Sequence, residues 1–124
     1  MTTHGTVNWF QVDTDDPDTA QQFYGELFNW TFAADPAIGA NSYRQATAAG
    51  ADHPQGAIAD TLGESPNWAI FFVVVTDVAA AITQAEKLGG KVILPPKTTP
   101  DGLTFAKLAD PAGNVFGVYT EPAR

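Results

Sequence analysis

The sequence predicts an α+β fold, two tandem βαβββ modules whose strands form a curled mixed sheet around a cavity. Three observations carry that prediction. The order strand, Asp-capped helix, then three short strands occurs twice along 124 residues. Each helix carries one apolar stripe, enough to cover one face of a sheet. A polar linker, Asp60–Asn67, separates the repeats. The chain is thus one domain, with module 1 at about residues 5–60 and module 2 at about 67–121.

The elements follow in order. Val7-Asn8-Trp9-Phe10-Gln11-Val12 partly alternates apolar and polar residues, as a strand does. Asp16-Pro17 then offers an N-cap and a proline at the first helical position, where the missing N–H costs nothing. Ala20, Phe23, Tyr24, Leu27 and Phe28 form the helical stripe, and Asn29 tolerates the left-handed turn that stops it. Tyr24 and Trp30 read as packing between helix and sheet. Extended segments are expected around Thr31–Ala33, Ser42–Thr47 and Gln55–Ala59.

In the second repeat, Trp68 to Val75 is a continuous apolar run, the pattern of a strand buried on both faces. Thr76-Asp77 opens a helix with Val78, Ala81, Ile82, Ala85 and Leu88 along one stripe, and Gly89-Gly90 stops it. Strands are expected at Lys91–Leu94, Leu103–Leu108 and Val115–Tyr119. Between the last two, Asp110-Pro111-Ala112-Gly113-Asn114 is a tight turn. Gly117 is anomalous, because a glycine inside a strand packs nothing and marks a bulge or a close approach.

Composition excludes several functions. Six basic residues against fourteen acidic ones give a net charge of −8, which repels a phosphate backbone, so no nucleic-acid partner is expected. The same charge maintains solubility and attracts cationic small molecules. No cysteine is available for disulfides, thiolate metal sites or nucleophilic catalysis. No run is long enough to span a bilayer, and the start M-T-T-H-G-T lacks a basic segment followed by an apolar one. No membrane association and a cytoplasmic location are the expectation. G-x-S-x-G and phosphate-binding glycine loops are absent.

The stretches D-D-P-D-T-A-Q-Q-F-Y-G-E-L-F-N-W (15–30), V-V-V-T-D-V-A-A-A-I-T-Q-A-E-K-L-G-G-K-V (73–92) and L-A-D-P-A-G-N-V-F-G-V (108–118), set on the paired βαβββ pattern, resemble the vicinal-oxygen-chelate superfamily, the glyoxalase and bleomycin-resistance fold. The resemblance implies a divalent metal (Zn, Ni, Mn or Fe) that chelates two neighbouring substrate oxygens through His, Gln or Glu ligands. It places ligands seven residues before each helix-capping Asp and seven after the Asp of the D-P-x-G-N turn. Those positions hold Trp9, Ile70 and Gly117. None has a side-chain donor for a metal, and a slip of one residue brings in Asn8, Ala69 and Phe116 or Phe10, Phe71 and Val118. No cofactor is therefore expected. A metal would need a displaced ligand set, drawn from residues such as His53 and Asp13.

If Trp9 faces a cavity, the two-residue period puts Gln11 and Asp13 beside it. Trp68, Ile70 and Phe72 share a face of the fifth strand and serve equally well as cavity wall or as core. Tyr43 and Gln45 share a face of the third strand and can supply hydrogen bonds. Asp13 suits a ligand cation or a general base, or else completes the acidic start of the first helix with Asp15 and Asp16. His53, in A-D-H-P-Q-G, lies near a strand start and a possible cavity mouth, whereas His4 is near the N-terminus. Gly117 leaves room for a ligand ring to approach the backbone.

Three functions compete. The first is binding of a small aromatic or cationic molecule, as bleomycin-resistance proteins do, in a homodimer of the kind the resemblance implies. The second is a lyase, isomerase or dioxygenase acting on a small carbonyl or vicinal-oxygen substrate, either with a displaced metal or with Asp13, Tyr43 or His53 as acid and base. The third is an interaction module that keeps the fold and has lost the small-molecule site.

Overall fold

A computed structural model describes residues 4–34 and 42–121. The element order is β1 (Val7–Thr14), α1 (Pro17–Phe28), β2 (Thr31–Ala34), β3 (Tyr43–Thr47), β4 (Gly56–Asp60), β5 (Trp68–Val74), α2 (Val78–Lys87), β6 (Lys91–Thr98), β7 (Thr104–Ala109) and β8 (Val115–Thr120). The fold is α+β, and strand, helix, three strands occurs twice, as the sequence pattern requires. Two compact units make up the chain: Trp9–Ala69, and Ile70–Arg124 together with Met1–Asn8.

In the first unit the strands lie in the order β2-β3-β4-β1. Neighbours β2/β3 and β3/β4 are antiparallel, while β4/β1 is parallel, with Phe10 opposite Gly56 and Asp13 opposite Ala59. The Asp16 carboxylate caps α1 by accepting from the Thr19 N–H, and Asn29 ends it in the left-handed conformation at φ 60°. One face of this sheet carries α1. Phe10 packs on Trp30 with centroids 5.2 Å apart, Tyr24 stacks on Trp30 at 5.5 Å, and Arg44 reaches Gln21 and Asp18 on the helix. Gly56 sits beneath the Phe10 ring, where a Cβ would come within 2.3 Å of it.

The second unit repeats the design in the order β5-β8-β7-β6, with β5/β8 parallel and the other pairs antiparallel. Its core is Val75, Val78, Ala106, Leu108 and Val118, against which the α2 stripe of Ala81, Ile82 and Ala85 packs. Asp77 caps α2 through the Ala80 N–H. The turn before β8 is tied by Asp110, which accepts from the Ala112 and Asn114 N–H groups and from the Asn114 side chain.

Two strands run at least two residues further than the sequence pattern indicates. β1 continues to Thr14 because the parallel register with β4 extends to Thr14 opposite Asp60. β6 continues through Pro95-Pro96 to Thr98 because it is the outer strand of its unit's order. There prolines remove no ladder bond, and the register shifts between Val92 and Leu94 and between Leu94 and Lys97.

Candidate functional site

The face of the first sheet turned away from α1 carries most of the polar candidates. Phe10, Phe32 and Arg44 point to the helix, so the alternating positions Trp9, Gln11, Asp13, Tyr43 and Gln45 point the other way. Pairing register sets them in rows. Asp13, Ala59 and Tyr43 form one row across three strands; Gln11, Ala57 and Gln45 form the next. Strands about 4.8 Å apart put Asp13 and Tyr43 roughly 10 Å apart at the backbone, with only an alanine methyl between. Small residues thus make a floor and long polar side chains stand at either side.

Hydrogen bonds fix this arrangement. Asp13, only 3% exposed, accepts from the Gln11 amide at 2.6 Å through Oδ1 and from the Trp68 indole N–H at 2.6 Å through Oδ2. A carboxylate that deep in the protein is tolerable because both oxygens are met by donors. The Trp9 indole N–H donates to the Tyr43 hydroxyl at 3.2 Å. Five residues singled out from the sequence (Trp9, Gln11, Asp13, Tyr43 and Trp68) therefore stand in two bonded groups within the first unit. Among the described residues no buried side-chain nitrogen or oxygen lacks a partner.

The remaining candidates lie elsewhere. The His53 side chain is 75% exposed and bonds its neighbour Asp52 at 2.7 Å, and to none of the other candidates. Ile70 and Phe72, in the second unit, are 6% and 4% exposed. Gly117 lies opposite Phe72 in the parallel β5/β8 pair, and an added Cβ would come 2.3 Å from the Phe72 ring. The ring that approaches this backbone is the protein's own. Pairing of β8 with β7 passes through Gly117 without a register shift, so the strand does not bulge there.

The residues at the three expected ligand positions do not fit a metal. The single polar atom of the Trp9 side chain donates to Tyr43, Ile70 is an alkyl group, and Gly117 is covered by Phe72. No three His, Cys, Asp or Glu side chains gather among the described residues.

Sequence reading missed two features. Gly56 beneath Phe10 follows the same rule as Gly117 beneath Phe72 and was open to the same inference, a glycine in a strand marking close approach. The bond from Trp68 to Asp13 spans 55 residues and leaves no periodic signal. An open cleft of about 270 Å³ is lined by Asp18, Gln21, Phe32, Ala33, Ala34 and Arg44 on the α1 side, away from these groups. There Arg44 ties helix to sheet through Gln21 at 3.0 Å and Asp18 at 2.8 Å.

The paired βαβββ units are those of the vicinal-oxygen-chelate superfamily. More narrowly, the chain belongs to the family described as the glyoxalase-like domain, whose model matches residues 9–119. It is 33% identical over 122 residues to the "Putative glyoxylase CFP32" of Mycobacterium tuberculosis, covering 93% of this chain and 45% of that protein. It is also 33% identical over 130 residues to the anthracycline biosynthesis protein DnrV of Streptomyces peucetius, covering 93% of this chain and 46% of that one. The chain thus spans less than half the length of these relatives. Among solved structures, the Mn(II)-bound glyoxalase from Novosphingobium aromaticivorans superposes with a TM-score of 0.65 at 19% identity, over 99% of this chain and 41% of that one. The methylmalonyl-CoA epimerase of Mycobacterium tuberculosis gives 0.62 at 13% identity, over 100% and 93%. At such identities these two neighbours establish the fold.

Proposed function

We propose that this glyoxalase-like chain binds a small aromatic or cationic molecule on the α1-free face of its first unit, without the superfamily's metal. The observation that carries this reading is the pair of bonded groups Trp9–Tyr43 and Gln11–Asp13–Trp68 around the alanines Ala57 and Ala59. Indole and phenol rings provide apolar contact, and the few fixed polar atoms orient a ligand. Hydrogen bonds already made hold the rings in place, which lowers the ordering cost of binding. The name of the Streptomyces relative supports an aromatic ligand class.

A second reading is an enzyme acting on a small carbonyl or vicinal-oxygen compound. The buried Asp13 carboxylate favours it, since a carboxylate held between two donors is a candidate acid–base group. The names of the glyoxylase relatives lean the same way.

Tryptophan emission tests the binding reading. Two of the three tryptophans, Trp9 and Trp68, lie in the bonded groups, while Trp30 stacks on Tyr24 on the other side of the sheet. Titration with a planar aromatic amine is expected to change the emission of wild type and of Trp30→Phe alike. Saturable binding that survives both Trp9→Phe and Asp13→Asn would remove the site from this face. Turnover of a carbonyl substrate abolished by Asp13→Asn would favour the enzyme.

A further inference from the structure

The two bonded groups of the first unit spend their donors on the protein itself. An indole N–H can only donate, and both do so inward: Trp9 to the Tyr43 hydroxyl at 3.2 Å, and Trp68 to Asp13 Oδ2 at 2.6 Å. The Gln11 amide nitrogen donates to Asp13 Oδ1 at 2.6 Å. That bond fixes which way the Gln11 amide lies, because a carboxylate accepts and only the nitrogen end can serve it. The other end, Oε1, is turned away from Asp13. Gln11 is 8% exposed, yet nothing among the described residues donates to its Oε1. The oxygen is not sealed in, since no buried side-chain oxygen of the described residues lacks a partner. An oriented carbonyl oxygen with free lone pairs is thus presented by a nearly buried side chain. Charge points the same way. Residues 9–69 hold nine carboxylates and one basic residue, Arg44, a net −8. Arg44 is committed on the α1 side, to Gln21 at 3.0 Å and Asp18 at 2.8 Å.

We infer that the ligand is an aminated aromatic cation and that Gln11 Oε1 selects it by accepting one of its N–H groups. The inference rests on the binding reading above and narrows it, from aromatic or cationic to a ring that is both and carries a donor. A cationic N–H on a neutral amide oxygen is a charge-assisted bond, stronger than its neutral counterpart. The carboxylates of the first unit favour the cation before contact is made. A carbonyl or vicinal-oxygen compound without a donor brings only lone pairs to Oε1, and acceptor against acceptor is repulsive, so such a ligand is selected against. Asp13 acts here through Gln11 as a positioning residue. It holds the amide so that oxygen, and not nitrogen, is left to the ligand. An amide without that anchor turns over to suit either a donor or an acceptor, and the selectivity goes with it.

The test uses three bicyclic probes of similar size at neutral pH: 4-aminoquinoline, a cation with N–H donors; N-methylquinolinium, a cation with none; and quinoline-4-carboxylate, an anion that only accepts. Isothermal titration calorimetry of the full chain in ~50 mM and ~500 mM salt gives their dissociation constants. 4-Aminoquinoline is expected to bind about tenfold or more tighter than N-methylquinolinium, the usual worth of a hydrogen bond with one charged partner. Quinoline-4-carboxylate should bind weakest. Salt should weaken both cations together and leave their ratio unchanged, because they share the charge and differ in the donor. Gln11→Met keeps the side-chain length and removes the oxygen, and should bring the two cations to within about threefold of each other. Asp13→Asn, which frees the Gln11 amide to turn over, should narrow the same ratio with the oxygen still present. Circular dichroism checks that each variant keeps its fold, and the wild-type comparison decides without any variant. Equal affinity for the two cations, or a ratio that Gln11→Met leaves intact, would overturn the inference while the binding reading stands. Silence from all three probes would overturn the inference and take support from the binding reading with it.

Discussion

The Trp68 indole N–H meets Asp13 Oδ2 at 2.6 Å and so ties the end of the first unit to its first strand. The bond does two things at once. It supplies a donor to a carboxylate that is 3% exposed, and it fixes an aromatic ring beside the floor formed by Ala57 and Ala59.

Asp13→Asn turns one acceptor into a donor, which then faces either the Gln11 amide or the Trp68 N–H. The expected loss is about 1–3 kcal/mol, the usual cost of a mismatched buried polar group. Trp68→Phe should cost a similar amount by removing the donor from Oδ2. The double variant should cost less than the sum, because the two changes break the same bond. Urea denaturation of the four proteins measures all three quantities, and strict additivity would show that the two groups are energetically independent.

Gly117→Ala places a methyl 2.3 Å from the Phe72 ring. Displacing that ring from a core position should cost about 1–3 kcal/mol. In a Phe72→Leu background, where no planar ring lies over the strand, the same change should cost clearly less. Equal costs in both backgrounds would mean that the glycine is needed for its backbone and not for the ring above it.

Acid should erode stability through three exposed carboxylates. The Thr19 hydroxyl and backbone hold Asp16 below the ordinary 3.8; His53 does so for Asp52, and the Asn114 side chain and backbone for Asp110. A carboxyl whose folded value is depressed adds stability that is complete above its unfolded value and is lost as pH falls through the folded one. The contribution is thus constant near neutrality and disappears below 3.8. Asp16→Asn and Asp110→Asn should flatten the acid limb of a melting-temperature profile. At the alkaline end burial, with Glu121 adding to it, raises the Tyr119 phenol above 10.0. The stability it contributes is therefore complete below 10.0 and is lost as pH rises from there through the higher folded value, and tyrosinate absorbance should appear late for this residue.

Purified protein incubated with Zn, Ni, Mn or Fe(II) and then desalted should retain no stoichiometric ion, and EDTA should leave both melting temperature and ligand titration unchanged. The basis is the absence of donor atoms at Trp9, Ile70 and Gly117, positions held by an indole N–H already bonded, an alkyl group and a covered backbone. One bound ion per chain would require a ligand set outside the groupings found among the described residues.

Much of the fold was legible because it is written in local pattern. Asp16-Pro17 and Asp77 cap the helices that they announce, and Asn29 adopts the left-handed stop. The two-residue period of β1 also placed Trp9, Gln11 and Asp13 on one face. Other features depend on partners distant in sequence. The Trp68 and Tyr43 side chains meet β1 residues only through the tertiary fold, and no count of spacings pairs them. His53 stood near a strand start in the sequence, yet the turn turns it outward to Asp52. Gly117 was recognisable as a point of close approach, but the identity of the approaching ring required the β5/β8 register.

That register, and its counterpart in the first unit, also sets an order of events during synthesis. Phe10 waits 46 residues for Gly56 and Phe72 waits 45 for Gly117, whereas the antiparallel hairpins join strands made almost in succession. Closing long loops is slower than closing hairpins. On the ribosome each leading strand therefore emerges well before its parallel neighbour exists. The apolar run from Ile70 to Val75 stays unpaired on that side until the last strand has left the exit tunnel, and this is the interval in which a chaperone would matter most to the nascent chain.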